Sequence, residues 1–443
     1  MHVGIIGGGY AGLAAAVTLA RRGIAVTLFE TAKVLGGRAR RVEHQGLTLD
    51  NGQHIFIGAY RETLRLIAEV CEPAETAAAS FLRLPLELAV YGNEHERPEV
   101  KFRLKAAALP APLHLAVGLM RAQGVGFGER LAAARFMSAL RRNGFFLPTD
   151  MSVAELLRQH RQGAAMIRYL WHPLCFAALN TPPEIASAQV FLNVLRDSLN
   201  GSRGDSELLL ARVDLSALFP EAAAKYVEAR GGKVLTAHTV TAIDEVENGF
   251  SVTASIATSR RQFEFSHAIC ALPPFRAHGF MLGSSALAEA AEATGKLEYQ
   301  PIYTVYLQYP KAVRLPMPML GLDGGYTQWV FDREALCSQR GLIAAVISAE
   351  GHHQELTQDE LALKVQQEIQ ENFGPLPEPE WRWVVVEKRA TFACLVDMQR
   401  PPQQTPLRNF YLAGDYTQGD YPATIEGAVT SGIKCADTIL KQG

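Results

Sequence analysis

The chain has 443 residues, with 43 Lys and Arg against 45 Asp and Glu, a net charge of −2, and 48% hydrophobic and 20% charged residues. At about 150 residues per folding unit this is mass for two or more lobes with a large core, which excludes a small scaffold stapled by disulfides or metal. The balanced charge and ordinary composition also exclude a disordered chain and a basic nucleic-acid footprint over the whole length.

Residues 3–6 are apolar, 11–22 are helix-forming and 25–29 are apolar and extended, so the first 30 residues predict a strand, a Gly-rich turn, a helix and a second strand. Gly7-Gly8-Gly9-Tyr10-Ala11-Gly12 satisfies G-x-G-x-x-G in that setting, with Glu30 closing the second strand. Gly7 permits the tight turn, and Gly12 lets the helix pack closely on the sheet. Gly9 lets a pyrophosphate approach the N–H groups at the helix start, those of Tyr10 and Ala11. Glu30 is placed to accept hydrogen bonds from an adenosine ribose and disfavours a 2′-phosphate. A second glycine pair follows in Leu35-Gly36-Gly37-Arg38-Ala39-Arg40, where the arginines can reach phosphate or the edge of a flavin ring.

Further along, 106–120 lacks Asp, Glu, Lys and Arg but is shorter than the roughly 20 apolar residues that span a bilayer, and it contains Pro110 and Pro112. Arg121, Arg130, Arg135, Arg141 and Arg142 then stand against the single acid Glu129, interleaved with Leu131, Phe136, Met137, Leu140, Phe145 and Phe146. The pattern fits a basic amphipathic helix on an anionic membrane, and equally a solvated helix face over a core stripe.

A helix over 214–227 is ended by Gly231-Gly232 before a strand at 233–235. Extended segments are predicted at 240–244, 250–256 and 262–271, with a hairpin turn at Asn248-Gly249 and a stop at Pro273-Pro274. Residues 410–413 form a short apolar strand running into Gly414-Asp415, and 423–440 has helical composition. Asp415 suits ribityl or pyrophosphate-linked hydroxyls, and the helix start at Thr424 and Ile425 favours the negative charge of a reduced flavin. One dinucleotide unit bracketed by both chain ends favours FAD over NAD.

The predicted fold class is α/β: a Rossmann-like, glutathione-reductase-like FAD-binding domain in three pieces, 1–75, 208–274 and 406–443, with an inserted α+β substrate domain. Of the insertions, 76–207 reads as mostly helical and 275–405 carries strands at 303–308, 342–348 and 383–387.

The six cysteines at 71, 175, 270, 337, 394 and 435 form no Cys-x-x-Cys pair and have no His at zinc-ligand spacing, so no metal site is expected. With a strand at the very start and no signal-peptide pattern, the reading is reduced, cytoplasmic chemistry. A second dinucleotide motif and an iron–sulfur cysteine set are both missing, so the electron donor is a separate, unidentified species.

The glycine motif, Glu30, Gly36-Gly37-Arg38 and the Gly414-Asp415 to Gly432 tail together resemble the flavin amine oxidase and phytoene desaturase superfamily. The blocks Leu49-Asp50-Asn51-Gly52-Gln53-His54, Asn180-Thr181-Pro182-Pro183, Gln328-Trp329-Val330-Phe331-Asp332-Arg333, Glu387-Lys388-Arg389-Ala390-Thr391-Phe392 and Pro422-Ala423-Thr424-Ile425-Glu426-Gly427 are similar to those of bacterial hydroxysqualene dehydroxylases, also called squalene-associated FAD-dependent desaturases. The resemblance implies FAD and reduction of a C30 isoprenoid, hydroxysqualene, to squalene in hopanoid synthesis. It also implies that Gly52-Gln53-His54 lies beside the flavin and that Val240 gives the adenine-side backbone contact. A bilayer-borne substrate favours peripheral membrane contact for 106–146, at the inner face of the cytoplasmic membrane. The aromatic pair that sandwiches amines in many amine oxidases has no evident counterpart in 415–421, where Tyr416 or Tyr421 can serve as one half.

Loss of an allylic hydroxyl needs an acid, an apolar tunnel and aromatic faces that tolerate transient positive charge. His54 is the first candidate at the reacting centre, and Glu426 and Asp50 are the other candidate acids. Trp171, Phe176, Phe191, Trp329 and Phe331 are candidates for the tunnel lining. The competing readings are an oxidative polyene desaturase, an amine oxidase and a flavoprotein without turnover.

Overall fold

The computed structural model describes residues 1–71, 73–94, 97–257 and 259–442. A parallel sheet of five strands runs in the order Lys233–Leu235, Ala25–Phe29, His2–Ile6, His267–Cys270, Phe410–Leu412. Its inner strands are buried almost without a break, as a parallel sheet covered on both faces requires. It draws on both ends and the middle of the chain, which is the topology of a Rossmann-like unit.

The helix Ile425–Gln442 packs on the helix Tyr10–Arg21. The two meet backbone to backbone at Gly432, where a Cβ would sit 2.1 Å from the Ala11 carbonyl oxygen. Asp214 caps the helix Leu215–Leu218 by accepting from Ser216 and Ala217 N–H, and Pro220–Glu228 continues it toward the strand at 233.

Two local expectations shift. The extended run 262–271 divides at Ser266, because Ser259–Phe265 closes an antiparallel three-stranded sheet while His267–Cys270 enters the parallel one. The hairpin turn sits one residue earlier than expected: Val246 pairs with Gly249, leaving Glu247 and Asn248 as the loop.

A seven-stranded sheet lies beside the parallel one, in the order Trp381–Phe392, Tyr299–Gln308, Leu342–Ser348, Trp329–Asp332, Met319–Leu322, Glu87–Glu94, Arg97–Lys105. The alternation of strand side chains divides it into two faces. Val305, Leu307, Val330, Ile343 and Ala345 pack against the helix Gln358–Phe373. Tyr306, Trp329, Phe331, Ala344 and Val346 face a helical layer that includes Phe136, Trp171 and Phe191.

The basic stretch forms two helices, Leu113–Met120 and Phe127–Arg142. Phe136, Leu140 and Phe145 are buried, so the apolar stripe of the second helix belongs to the core rather than to a free amphipathic face. The exposed apolar residues lie at the helix ends instead: Leu113, Phe127 and Phe146 are 56%, 63% and 64% exposed. Among the described residues no helix is long and apolar enough to cross a membrane.

Candidate active site

At the carboxyl ends of the parallel strands the two glycine loops lie side by side. Gly7 has φ +116°, and a Cβ there would lie 2.5 Å from the Ala271 carbonyl oxygen. Gly36 N–H donates to Gly8 O at 2.9 Å, and a Cβ on Gly9 would meet only Gly37 Cα at 3.8 Å and Gly36 O at 4.0 Å. The cleft walls here are bare backbone. No side chain caps the helix start at Gly9, so the N–H groups of Tyr10 and Ala11 stay open to an anion. The Tyr10 side chain turns into the core, where its hydroxyl donates to Leu215 O at 2.9 Å.

Glu30 accepts from Gly8 N–H at 2.7 Å and Ala32 N–H at 2.8 Å, one on each oxygen, which leaves each oxygen a second lone pair. His238 N–H donates to Glu30 O, and this leads the chain into Thr239–Val246, where Val240 sits beside a bulge. An open anion cleft with a carboxylate at the next strand end fits a dinucleotide.

At the other end of the cleft Arg38 has protein partners of its own. Its Nη2 donates to Asp415 Oδ1 at 2.5 Å and its Nη1 to Ala390 O at 2.7 Å, so the guanidinium ties the turn at Asp415 to the strand Trp381–Phe392. Asp415 Oδ2 has no partner among the described residues. Gly414 N–H donates to Ser431 Oγ at 2.9 Å. Thr424 Oγ1 accepts from Gly427 N–H at 3.1 Å, leaving the N–H of Ile425 at the open start of its helix.

Between these ends lies 50–54. His54 Nδ1 meets Gly52 O at 2.8 Å, so this nitrogen carries the proton and Nε2 keeps its lone pair, without a protein partner among the described residues. Burial pushes the His54 pKa down, and the Arg38 charge adds to that against the Gly52 bond. A Cβ on Gly52 would lie 3.7 Å from His54 Cε1 and 3.9 Å from Thr304 Oγ1, and that hydroxyl is buried without a partner.

The other two candidate acids are committed elsewhere. Asp50 accepts from Leu215 N–H at 2.8 Å through Oδ1 and pairs through Oδ2 with Arg333 Nη1 at 3.6 Å. Burial raises its pKa to about 6 against the pull of Arg333. Glu426 accepts from Glu62 N–H at 3.0 Å, Thr63 N–H at 2.9 Å and Thr63 Oγ1 at 2.6 Å. It therefore caps the helix Arg61–Val70. Burial raises its pKa while these donors draw it back. Asp50 and Glu426 are each turned onto a helix start, and neither they nor His54 belongs to the lining of the cavity described next.

That cavity, of about 350 Å³, runs between the helical layer and the inner face of the seven-stranded sheet. Trp171, Phe191 and Trp329 line it, with leucines such as Leu170, Leu174 and Leu208. Phe176 and Phe331 do not. On the helix His172–Leu179 the lining side is Leu174, Ala177 and Ala178, one face at i, i+3 and i+4, and Phe176 lies off it. Phe331 is buried in the core beyond Trp329. Among the described residues Arg141 is the one charged side chain of the lining.

Pro112, Ala116 and Ser138 line the cavity and are exposed, so it opens between the two basic-stretch helices. At the inner end Trp329 pairs with Val346, which pairs with Thr304, so one sheet row joins the cavity to the Gly52–His54 segment. Neither Tyr416 nor Tyr421 lines it.

A family profile described as flavin containing amine oxidoreductase matches residues 10–440. The chain belongs to this family. It is an FAD-dependent oxidoreductase. Along its whole length it is 28% identical to a hydroxysqualene dehydroxylase of Rhodopseudomonas palustris, of which 99% is covered. A hydroxysqualene dehydroxylase of Zymomonas mobilis is 27% identical, over 98% of both chains. Among solved structures, an oxidoreductase from Methanosarcina mazei superposes with a TM-score of 0.75 at 15% identity over all of both chains, a likeness of fold.

Arg333 and Thr304 were not singled out by sequence reasoning. The Arg333 partner Gln53 lies 280 positions away, and a buried threonine in an apolar strand has no local signature. The aliphatic lining carries its own local signal, the helical face at 174, 177 and 178, which an expectation built on aromatic residues does not contain.

Proposed function

We propose that this enzyme reductively removes the hydroxyl of hydroxysqualene to give squalene, with the C30 chain in the apolar cavity. The observation that carries this reading is a cavity lined by one charge and otherwise almost wholly by apolar groups, ending one sheet row from the Gly52–His54 segment. Such a lining suits a hydrocarbon and leaves a polar amine without a partner. Whole-length similarity to two hydroxysqualene dehydroxylases supports the same substrate.

When bound in reduced form, FAD supplies a hydride. The carbon–oxygen bond breaks, the hydroxyl takes a proton and departs as water, and the carbon gains the hydride. His54 is assigned the proton, held at Nε2. Burial disfavours the imidazolium, so it is scarce near neutrality but a strong donor to a poor leaving group. Trp171, Phe191 and Trp329 present π faces to transient positive charge, and the apolar lining excludes water that would capture it.

Gly7, Gly9, Tyr10, Ala11, Gly12, Gly36 and Gly37 form the pyrophosphate cradle, Glu30 takes the ribose and Val240 the adenine side. Asp415 takes a ribityl hydroxyl, with Arg38 holding it in place. The helix start at Thr424 and Ile425 offsets negative charge on the reduced ring, and Gly52-Gln53-His54 lies along it.

The cavity mouth is assigned to the inner face of the cytoplasmic membrane. Leu113 and Phe127 project from its two helices and Phe146 from the chain just after the second, and Arg121, Arg135 and Arg142 have no carboxylate partner among the described residues.

The deciding experiment reduces the bound flavin anaerobically, adds hydroxysqualene, and follows flavin absorbance together with product by mass spectrometry. Flavin reoxidation with stoichiometric squalene is expected. No reoxidation, alongside reduction of the oxidised enzyme by a polyene, overturns the reading in favour of an oxidative desaturase.

A further inference from the structure

Arg333 is 2% exposed and stands at the start of the helix Arg333–Cys337, directly after the strand Trp329–Asp332 whose first residue lines the cavity. Its Nη1 donates to Gln53 Oε1 at 2.8 Å and lies 3.6 Å from Asp50 Oδ2, and its Nε donates to Gln339 Oε1 at 2.9 Å. A guanidinium so deeply buried is retained only where its fork meets fixed acceptors.

Two of those acceptors flank Asn51-Gly52. Gln53 in turn donates through Nε2 to His54 O at 3.4 Å. Other ties on the segment include Leu215 N–H to Asp50 Oδ1 at 2.8 Å, Asn51 N–H to Arg40 O at 3.0 Å, Arg40 N–H to Asn51 Oδ1 at 3.3 Å, His54 Nδ1 to Gly52 O at 2.8 Å, and Tyr306 hydroxyl to Asp50 O at 2.8 Å. Arg333 is the side chain that reaches both ends of the segment from the side of the cavity.

We infer that Arg333 is a positioning residue: by gripping Asp50 and Gln53 together it sets the place of Gly52 and His54 relative to the cavity's inner end. Asp50 and Glu426 then have matching roles as anchors, the first of a loop and the second of a helix. Neither is the proton donor. The kinetic part of this inference rests on the function proposed above, and the spectroscopic part stands without it.

Arg333→Met keeps most of the bulk and removes every donor, which strands the Asp50 carboxylate. The double variant Asp50→Asn with Arg333→Met removes that stranded charge but still leaves Gln53 without its donor. Positioning predicts that the single variant melts at a lower temperature and turns over hydroxysqualene on the order of a hundredfold more slowly, as a displacement of about 1 Å costs. The double variant regains the melting temperature but not the rate. Both keep full FAD content, because the phosphate cradle is untouched, yet the visible circular dichroism of the bound flavin differs from wild type.

A rate that returns with the melting temperature, or an unaltered flavin dichroism in both variants, overturns the positioning role and leaves a structural ion pair. Should wild type itself leave hydroxysqualene unconverted, the proposed substrate falls and the dichroism alone decides the role of Arg333.

Discussion

Changing Gly9 to alanine separates the cost of losing the cofactor from the cost of misfolding. A Cβ at Gly9 meets nothing of the protein nearer than 3.8 Å, and its φ of −81° with ψ of −179° suits any residue. The apoprotein should therefore fold with an unchanged or slightly raised melting temperature. The same methyl occupies the cleft in front of the Tyr10 and Ala11 N–H groups.

Losing two hydrogen bonds to a charged phosphate, at about 1.5–3 kcal/mol each, amounts to about 3–6 kcal/mol, or roughly 10²- to 10⁴-fold in affinity. At Gly12 the reverse holds, since a Cβ there would lie 2.0 Å from the Gly7 carbonyl oxygen and the turn itself must break. The assay is titration of apoprotein with FAD by flavin fluorescence, beside thermal melts of both apo variants. Wild-type FAD affinity in Gly9→Ala refutes the placement of the pyrophosphate, and a normal melting curve in Gly12→Ala refutes the packing argument.

Three further outcomes are expected. Glu426→Gln turns an amide donor onto a site of three donors, so it should cost about 2–4 kcal/mol and lower the melting temperature by a few degrees. Turnover below that temperature should stay within about twofold, whereas a hundredfold loss restores Glu426 as the acid. Because burial lowers the His54 pKa below its ordinary 6.5 and only the imidazolium donates, turnover should rise about tenfold per unit as pH falls from 8 toward that pKa. His54→Gln should abolish the dependence, and a rate that climbs with pH instead removes His54 as donor. Neutralising Arg121, Arg135 and Arg142 to Gln should weaken cosedimentation with anionic vesicles on the order of a hundredfold, at about 1 kcal/mol per cation, and unchanged binding refutes membrane docking.

The sequence by itself determined the nucleotide-binding fold. Its signals are local: a Gly-rich turn between a strand and a helix, Glu30 at the next strand end, and Gly414 after a second short strand. Each follows from what the backbone can do at one place. The family resemblance was legible for the same reason, since its blocks are short runs around those turns. Roles that depend on what a side chain meets were decided only by the tertiary structure. Arg38, read as a contact to phosphate or to the edge of a flavin ring, holds Asp415 and Ala390, and Glu426, read as an acid, caps a helix that begins 365 positions earlier in the chain. The basic stretch resolved toward its core stripe once Trp171 and His160, from other segments of the chain, supplied rings for Phe136 to pack on. Period and turn chemistry are written within a few residues. Burial and hydrogen-bond partners are set by segments up to hundreds of residues apart, and so the acid, the anchors and the cavity appear only when the chain is folded.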